Sequence, residues 1–384
     1  MAADILGIRI QNIHSIIQAL RFEERLTKRD IAAVTGLSFA TVSNLCNELV
    51  ERGVLRTTRD EALTVGRTPH TLTFRYNQFC VIAINLQLRG AMELAVLNFR
   101  NEVLTRRMYH IDELPAEQIV AFAYHRFLKD VKPELPPEAG FIGIGVAVSS
   151  IYDIHTGKLI CCAIPQLENV DIKSLVEEAF GIPAYVDNEA NLCAYAQKAM
   201  GKDSDNLVYI HASEGVGIGV ITQGKLLRGA NGYAGEVAHM PIGRKDHYCP
   251  NCGSYGCIER ELCLDGLLTN FLGRAPEERF SSWQKFCQAF RDKEPRALET
   301  AWEAGHYLGV LACVLINLFD PGAVYVGGDI AALQDGMEPA MTQEIRQHCG
   351  AWRRVLPTIS WDRDSELRIN LGISEKICST WTPG

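Results

Sequence analysis

Long hydrophobic runs are missing from this chain. No stretch of eighteen or more consecutive apolar residues occurs in its 384 residues, and about that many are needed to cross a bilayer. The opening "MAADILGIRIQNIHS" also lacks the basic-then-apolar layout of a secretory leader. Low-complexity tracts are missing too. No membrane insertion is therefore expected, and the expected location is cytoplasmic. In a reducing compartment the thirteen cysteines should be thiols or metal ligands rather than disulfides. A surplus of positive charge is absent as well: the net charge is −8. It is unevenly spread, with ten Lys/Arg against eight Asp/Glu in residues 1–76 and 28 against 38 in the remainder. An acidic body repels nucleic acid, so any DNA contact should fall to the N-terminal segment. The length allows two or three domains.

Within that segment, Ile10, Ile13, Ile16, Ile17 and Leu20 recur at helical spacing. "LTKRDIAAVTGLSFATVSNLCNELVERGVLR" then reads as two helices around a tight turn. Thr27 and Asp30 have the spacing of a capping box at the start of the first. Ile31 and Val34 are expected to face inward, and Gly36 to supply the turn, where a positive φ is often required. Ser38 should cap the second helix, with Val42, Leu45 and Leu49 as its buried stripe and Gly53 at its end. Val54, Leu55, Leu72 and Phe74 suit two strands of a β-wing. The order helix, turn, helix, wing is that of a winged helix-turn-helix. The helix Ser38–Arg52 is then expected in a DNA major groove, presenting Ser38, Thr41, Ser43, Asn44 and Asn47 to base edges. A three-helix interaction module with a solvated polar face would show the same periodicity. Arg67, in "GRTP" at the wing, either enters a narrow minor groove or sits on a plain turn.

From about residue 77, short apolar runs alternate with helical patterns. "CVIAINL", "MELAVLNF", "FIGIGVAVS", "AYVD", "LVYIHA", "VGIGVIT" and "AVYVGG" read as strands, and 116–127, 172–180 and 190–199 as helices. That alternation implies an α/β body of two lobes around a cleft, where ligands bind. Asp187, Asn188 and Glu189 fall at a strand end just before a helix. They could grip hydroxyls, or simply complete a helix N-terminus. Glu236 and His239 lie in a glycine-rich loop.

His239, Cys249, Cys252 and Cys257 form H-x9-C-x2-C-x4-C. Three thiolates and an imidazole make a closed tetrahedral zinc set, and soft sulfur favours zinc. Such a zinc is structural, because no coordination position is left for water. His247 is a fifth candidate for the four positions. Idle reduced thiols are the plain alternative. Cys46, Cys80, Cys161, Cys162, Cys193, Cys263, Cys287 and Cys313 sit in apolar patterns and are expected in the core.

Together these residues resemble the ROK group of sugar kinases and sugar-responsive repressors of the NagC, Mlc and XylR type. The winged helix and its "GRTP" element resemble the repressor branch. "GYAGEVAHM" is similar to the family's A-G-E-x-G-H element, with Ala238 replacing the second glycine. "CPNCGSYGCIE" is similar to its C-x-C-G-x-x-G-C-x-E zinc signature, with one residue inserted. The resemblance implies a winged helix-turn-helix over residues 1–76 and a two-lobed, actin-like, sugar-kinase-like body. Its first lobe is expected over 77–187, with about 366–384 packing back on it, and its second over 188–365. It also implies sugar contacts at Asn188, Glu189, Glu236, His239 and Glu259. Glu189 stands where the kinases carry a catalytic aspartate. The D-x-G-G-T phosphate loop is replaced by Asn85-Leu86-Gln87-Leu88, and G-T-G-x-G by Ser213-Glu214-Gly215-Val216-Gly217, so kinase activity is expected to be lost and Glu189 vestigial. The expectation is a sugar- or sugar-phosphate-controlled DNA-binding regulator, a repressor, acting as a homodimer or higher homo-oligomer on an operator, with a structural zinc. A kinase with a DNA-binding head, or a regulator controlled by a protein partner, are the alternatives.

Overall fold

The computed structural model describes residues 2–23, 25–59, 70–86, 90–111, 114–201, 205–277, 279–350 and 352–383. Arg67 and the rest of "GRTP", and Gln87 to Arg89, lie outside them.

The N-terminal head consists of α1 (Ala2–Arg21), β1 (Leu26–Thr27), α2 (Lys28–Thr35), α3 (Phe39–Glu51), β2 (Leu55–Arg59) and β3 (His70–Phe74). Ile13, Ile16, Ile17, Leu20, Ile31, Val42, Leu45 and Leu49 bury together, so the helical periodicity is used as a core should use it. The Thr27–Asp30 capping box forms in both directions, and Ser38 caps α3 by accepting the Thr41 amide. Gly36 has φ 70° and ends α2, a conformation costly for any residue with a Cβ. Two expectations need correction. Val34 is 69 % exposed and Ile10 45 % exposed. In a helix as short as α2, Ile31 alone reaches the core, and along α1 the buried apolar stripe runs from Ile13 to Leu20 among the described residues. β1, β3 and β2 form a three-stranded antiparallel wing.

Each lobe of the body is built around a five-stranded mixed sheet. The first contains β4 (Phe79–Leu86), β5 (Ala91–Asn98), β6 (Val103–His110), α4 (Ala116–Arg126), β7 (Gly140–Val148), the hairpin of β8 (Ile151–Tyr152) and β9 (Leu159–Ile160), α5 (Ile172–Phe180) and β10 (Ala184–Asn188). After α6 (Glu189–Met200), the second contains β11 (Leu207–Ala212), β12 (Val216–Thr222), β13 (Lys225–Leu226), the hairpin of β14 (Tyr248–Cys249) and β15 (Ser254–Tyr255), α7 (Glu259–Leu262), α8 (Leu264–Leu272), α9 (Arg279–Arg291), α10 (Pro295–Phe319), β16 (Ala323–Gly327), α11 (Gln334–His348) and β17 (Thr358–Trp361). α12 (Ser365–Cys378) closes the chain. The sheet orders are β10-β7-β4-β5-β6 and β13-β12-β11-β16-β17. In both, the first three strands pair antiparallel and the last two join parallel. The lobes are thus two copies of one topology.

The helix that follows the last strand of each sheet crosses to the other lobe. α6 leaves β10 and packs on β11 and β12, while α12 leaves β17 and packs on β4, β5 and β7. The two helices also pack on each other. Glycines make this crossing tight. A Cβ on Gly372 would collide with the Leu192 carbonyl, one on Gly219 with the Ala190 carbonyl, and one on Gly145 with the Ile373 side chain.

α10 is long and apolar enough to cross a membrane by length and composition. Its apolar face is instead used in the second-lobe core, where Ala297, Ala301, Ala304, Leu308, Leu311 and Leu315 are buried. Cys161 is exposed and Cys162 only partly buried, against expectation. They lie just past β9, in a loop where Cys161 has φ 55°, so an apolar-looking sequence belongs to a turn.

Candidate ligand cleft and metal centre

β10 ends where α6 begins, and this junction carries the strand-end polar group. Asn188 accepts the Asn191 amide at 2.9 Å and caps α6. Its Oδ1 is therefore occupied and its amide nitrogen remains. Asp187 is 1 % exposed and fully engaged. It accepts from the Asn188 amide at 3.0 Å and from Asn191 Nδ2 at 2.8 Å, and also from Tyr185 and Arg228. Arg228 follows β13, so this ion pair bridges the lobes. Burial works against the Arg228 charge, but the Asp187 carboxylate prevails and raises its pKa. Asp187 is thus a structural anion rather than a hydroxyl grip.

Glu189 is different. Ser149 donates to its Oε1 at 2.9 Å, while Oε2 is buried with no protein partner. Burial pushes this carboxyl up to about 7. Its own backbone N–H and Ser149 oppose that rise, and the charges of Glu236 and Asp187 add to it. A carboxyl poised near neutrality with a free buried oxygen can donate or accept a hydrogen bond. Glu236 enters from the loop after β13. It is open to solvent, yet surrounding protein raises its carboxyl above the usual value, the condition of a group lining an open cleft.

His239, Cys249, Cys252 and Cys257 converge, each offering a ligand atom within 4.8 Å of the others. Cys252 Sγ and Cys257 Sγ are 3.4 Å apart, and Cys249 Sγ is 3.8 Å from His239 Nδ1. A tetrahedral site with metal–sulfur bonds of about 2.3 Å has edges of roughly 3.8 Å, so the four residues fit a metal ion. His247 is not among them: its Nδ1 lies 3.0 Å from Glu261. Glu259 is 6 % exposed and sits beside the cluster. It accepts from Asn251 Nδ2 at 2.9 Å and from Cys249 Sγ at 3.5 Å. Its other oxygen approaches the Cα region of Gly215, in the β11–β12 turn. The cluster thus links the metal loop to that turn.

The β11–β12 turn is acidic, with Glu214 next to Ser213. Ser213 donates to Asp329, whose carboxyl is raised by burial and by the charges of Glu214 and Glu366, against the Ser213 bond.

On α3, Ser38, Asn44 and Asn47 are exposed and Thr41 and Ser43 partly so. Lys28 Nζ from α2 donates to Asn47 Oδ1 at 2.6 Å and to Ser43 Oγ at 3.2 Å. Arg21 is a buried link between head and body: it donates to the Phe99 carbonyl at 2.7 Å and to Asn101 at 2.8 Å, and pairs with Glu375 of α12, beside hydrogen bonds from His14 and Gln18 to the Ser379 and Cys378 carbonyls. Sequence reasoning missed Arg21, Arg228 and Ser149. Their partners lie 40 to more than 300 residues away, and no local spacing announces them.

The sequence matches the ROK family over residues 89–357 and a winged helix-turn-helix DNA-binding family over residues 9–56. It is 29 % identical over 328 residues to the xylose repressor of Caldicellulosiruptor bescii, covering 81 % of each chain. It is 24 % identical over 355 residues to the DNA-binding transcriptional dual regulator NagC of Escherichia coli, covering 88 % of this chain and 86 % of that one. In structure it resembles a ROK family transcriptional regulator that is a homologue of the E. coli MLC protein, with TM-score 0.80, 22 % identity and 97 % of each chain covered. The body alone resembles a ROK hexokinase from Thermus thermophilus, with TM-score 0.62, 24 % identity, 77 % of this chain and 97 % of that one.

Proposed function

The chain belongs to the ROK family, and on that premise we propose that it is a DNA-binding transcriptional repressor released from its operator by a sugar or sugar phosphate in the interlobe cleft. The winged helix-turn-helix ahead of a ROK body is the observation that carries this reading. Relatives named for xylose and for N-acetylglucosamine make aldoses and their acetylated or phosphorylated forms the ligand class.

Ligand hydroxyls are the partners that the cleft lacks. Glu189 Oε2, the Asn188 amide nitrogen, Glu236, Glu259 and the outer nitrogen of His239 form the sugar-binding set. Closure of the lobes around a ligand moves α6, which begins at Asn188–Glu189, against α12. From α12 the change reaches the head through Glu375 and Arg21. A tenfold weakening of DNA binding needs a ligand preference for the closed state of about 1.4 kcal/mol. Residues 1–76 act as the DNA-binding unit, and 77–187 with 366–384, and 188–365, as the two moving lobes. A homodimer places two heads on a two-fold operator, with Ser38, Thr41, Ser43, Asn44, Asn47 and Arg67 on the DNA side.

Phosphoryl transfer does not belong to this reading. Glu214, with Asp329 bonded to Ser213, stands at the Ser213–Gly217 turn that replaces the family's G-T-G-x-G element, and like charge there repels phosphate. His239, Cys249, Cys252 and Cys257 would hold a zinc ion, whose role is to fix the loop between Glu236 and Glu259. His239 couples that metal centre to ligand binding through its second ring nitrogen.

The test is selection of bound duplexes from a random DNA pool, followed by displacement with a panel of sugars and sugar phosphates. Enrichment of a two-fold sequence and release by a panel member support the proposal. Sugar-dependent ATP turnover would favour the kinase alternative instead.

A further inference from the structure

The recognition helix presents fewer free polar side chains than its sequence advertises. Ser38 is occupied by the Thr41 amide, and its hydroxyl also bonds that of Thr41 at 2.9 Å. Ser43 and Asn47 are both held by Lys28 Nζ. Of the five polar residues on this face, Asn44 alone has no hydrogen bond to the rest of the described chain. Meanwhile Phe39, the first residue of α3, is 53 % exposed. It contributes little to the head core, whose α3 members are Val42, Leu45, Cys46 and Leu49. Ala40 beside it is also exposed. The first turn of a recognition helix is the part that meets base edges in the major groove. The only apolar feature on those edges is the C5-methyl of thymine, which Phe and Ala contact favourably.

We propose that Phe39 is a specificity-determining residue that packs on a thymine methyl in each operator half-site, so that sequence is read in part through apolar contact rather than hydrogen bonds. This rests on the DNA-binding reading above and deepens it. Contact with the methyl removes both it and the exposed Phe39 ring edge from water, a gain that cytosine or uracil at that position does not offer.

The test uses the full-length chain and the duplex it enriches from a random pool. Each thymine of that duplex is replaced in turn by deoxyuridine, which deletes the methyl and keeps the pairing. For the unmodified chain, one thymine per half-site should lose about fourfold in affinity on demethylation, the value of one buried methyl-sized group. Phe39→Ala should bind the thymine and uracil duplexes alike, and Phe39→Leu should keep part of the preference. Unchanged melting temperature in both variants reports an intact head. A chain for which no single thymine is sensitive, or a Phe39→Ala variant that retains the full thymine preference, overturns the proposal while leaving DNA binding standing. If no sequence is enriched at all, the DNA-binding reading itself falls, and this proposal with it.

Discussion

Arg21 and Glu375 form an ion pair of 2.8 Å between the last residue of the first helix and the last helix of the chain, and the arginine side chain is fully buried. The pair joins the DNA-binding head to α12. The same helix is tied to the first lobe where Asn370 donates to Glu93, and to the second where Arg368 donates to Asp362 at 2.9 Å. One helix therefore touches every unit of the molecule. Removing one partner of a buried pair leaves an uncompensated charge and costs about 3–5 kcal/mol when the site is fully dry. Glu375 is 15 % exposed, so the lower end applies. Arg21→Met should lower the melting temperature and let the head melt separately in calorimetry. It should also reduce sugar-driven DNA release at least about fivefold, while sugar affinity measured by titration stays unchanged. Equal release from both proteins would remove Arg21 from the coupling route.

The α6–α12 crossing leads to a second expectation. Gly372→Ala puts a methyl into the Leu192 carbonyl, and overpacking of this kind costs about 1–3 kcal/mol. Because both helices serve both lobes, the variant should lose stability and shift the closure equilibrium together. Chemical denaturation and sugar titration of one preparation measure the two effects. A variant as stable as its parent would show that the crossing is looser than its glycines imply.

Much of this architecture was legible beforehand, for physical reasons. Caps and turns are local, so Thr27, Asp30, Gly36 and Ser38 announced themselves by spacing. Strands such as β4, β7, β11 and β12 are continuous apolar runs because both of their faces are covered, whereas β6, VLTRRMYH at a sheet edge, is mostly exposed and carried no such run. The metal set was readable because ligand spacing is short. Contacts between distant segments were not readable. Arg21 has no local spacing that announces its distant partners, and Asp187, one of the strand-end groups that could have gripped hydroxyls, is taken up by Tyr185 and Arg228. Val34 showed the limit of periodicity in a helix of eight residues.

Glu189 gives a pH signature. Its folded pKa, about 7, lies above its unfolded value, so the neutral form is favoured on folding. The stabilising effect is complete below the unfolded value near 4.5 and is lost as pH rises through 7. Glu189→Gln cannot ionise. It should be more stable than the parent by on the order of 1–2 kcal/mol at pH 8 and nearly equal at pH 5. Melting curves at the two pH values check this; a constant difference would place the carboxylate in a more polar setting.

Metal removal separates structure from response. Cys252→Ala or Cys257→Ala should abolish stoichiometric zinc in elemental analysis and lower the melting temperature by several degrees. Each should also weaken sugar binding, because Glu236 and Glu259 flank the loop those cysteines close. Loss of zinc with an intact sugar response would contradict the role given to His239.

The most direct measurement is fluorescence anisotropy of an enriched operator duplex with the purified protein, titrated with aldoses, N-acetyl aldosamines and their phosphates. The account predicts nanomolar-range DNA binding, on the order expected for specific regulators, and at least a tenfold loss of affinity with one ligand class. It further predicts that Glu236→Ala abolishes this loss without changing DNA affinity in the absence of sugar. Tight DNA binding that no sugar alters, in a protein whose cleft binds none of them by calorimetry, would contradict it.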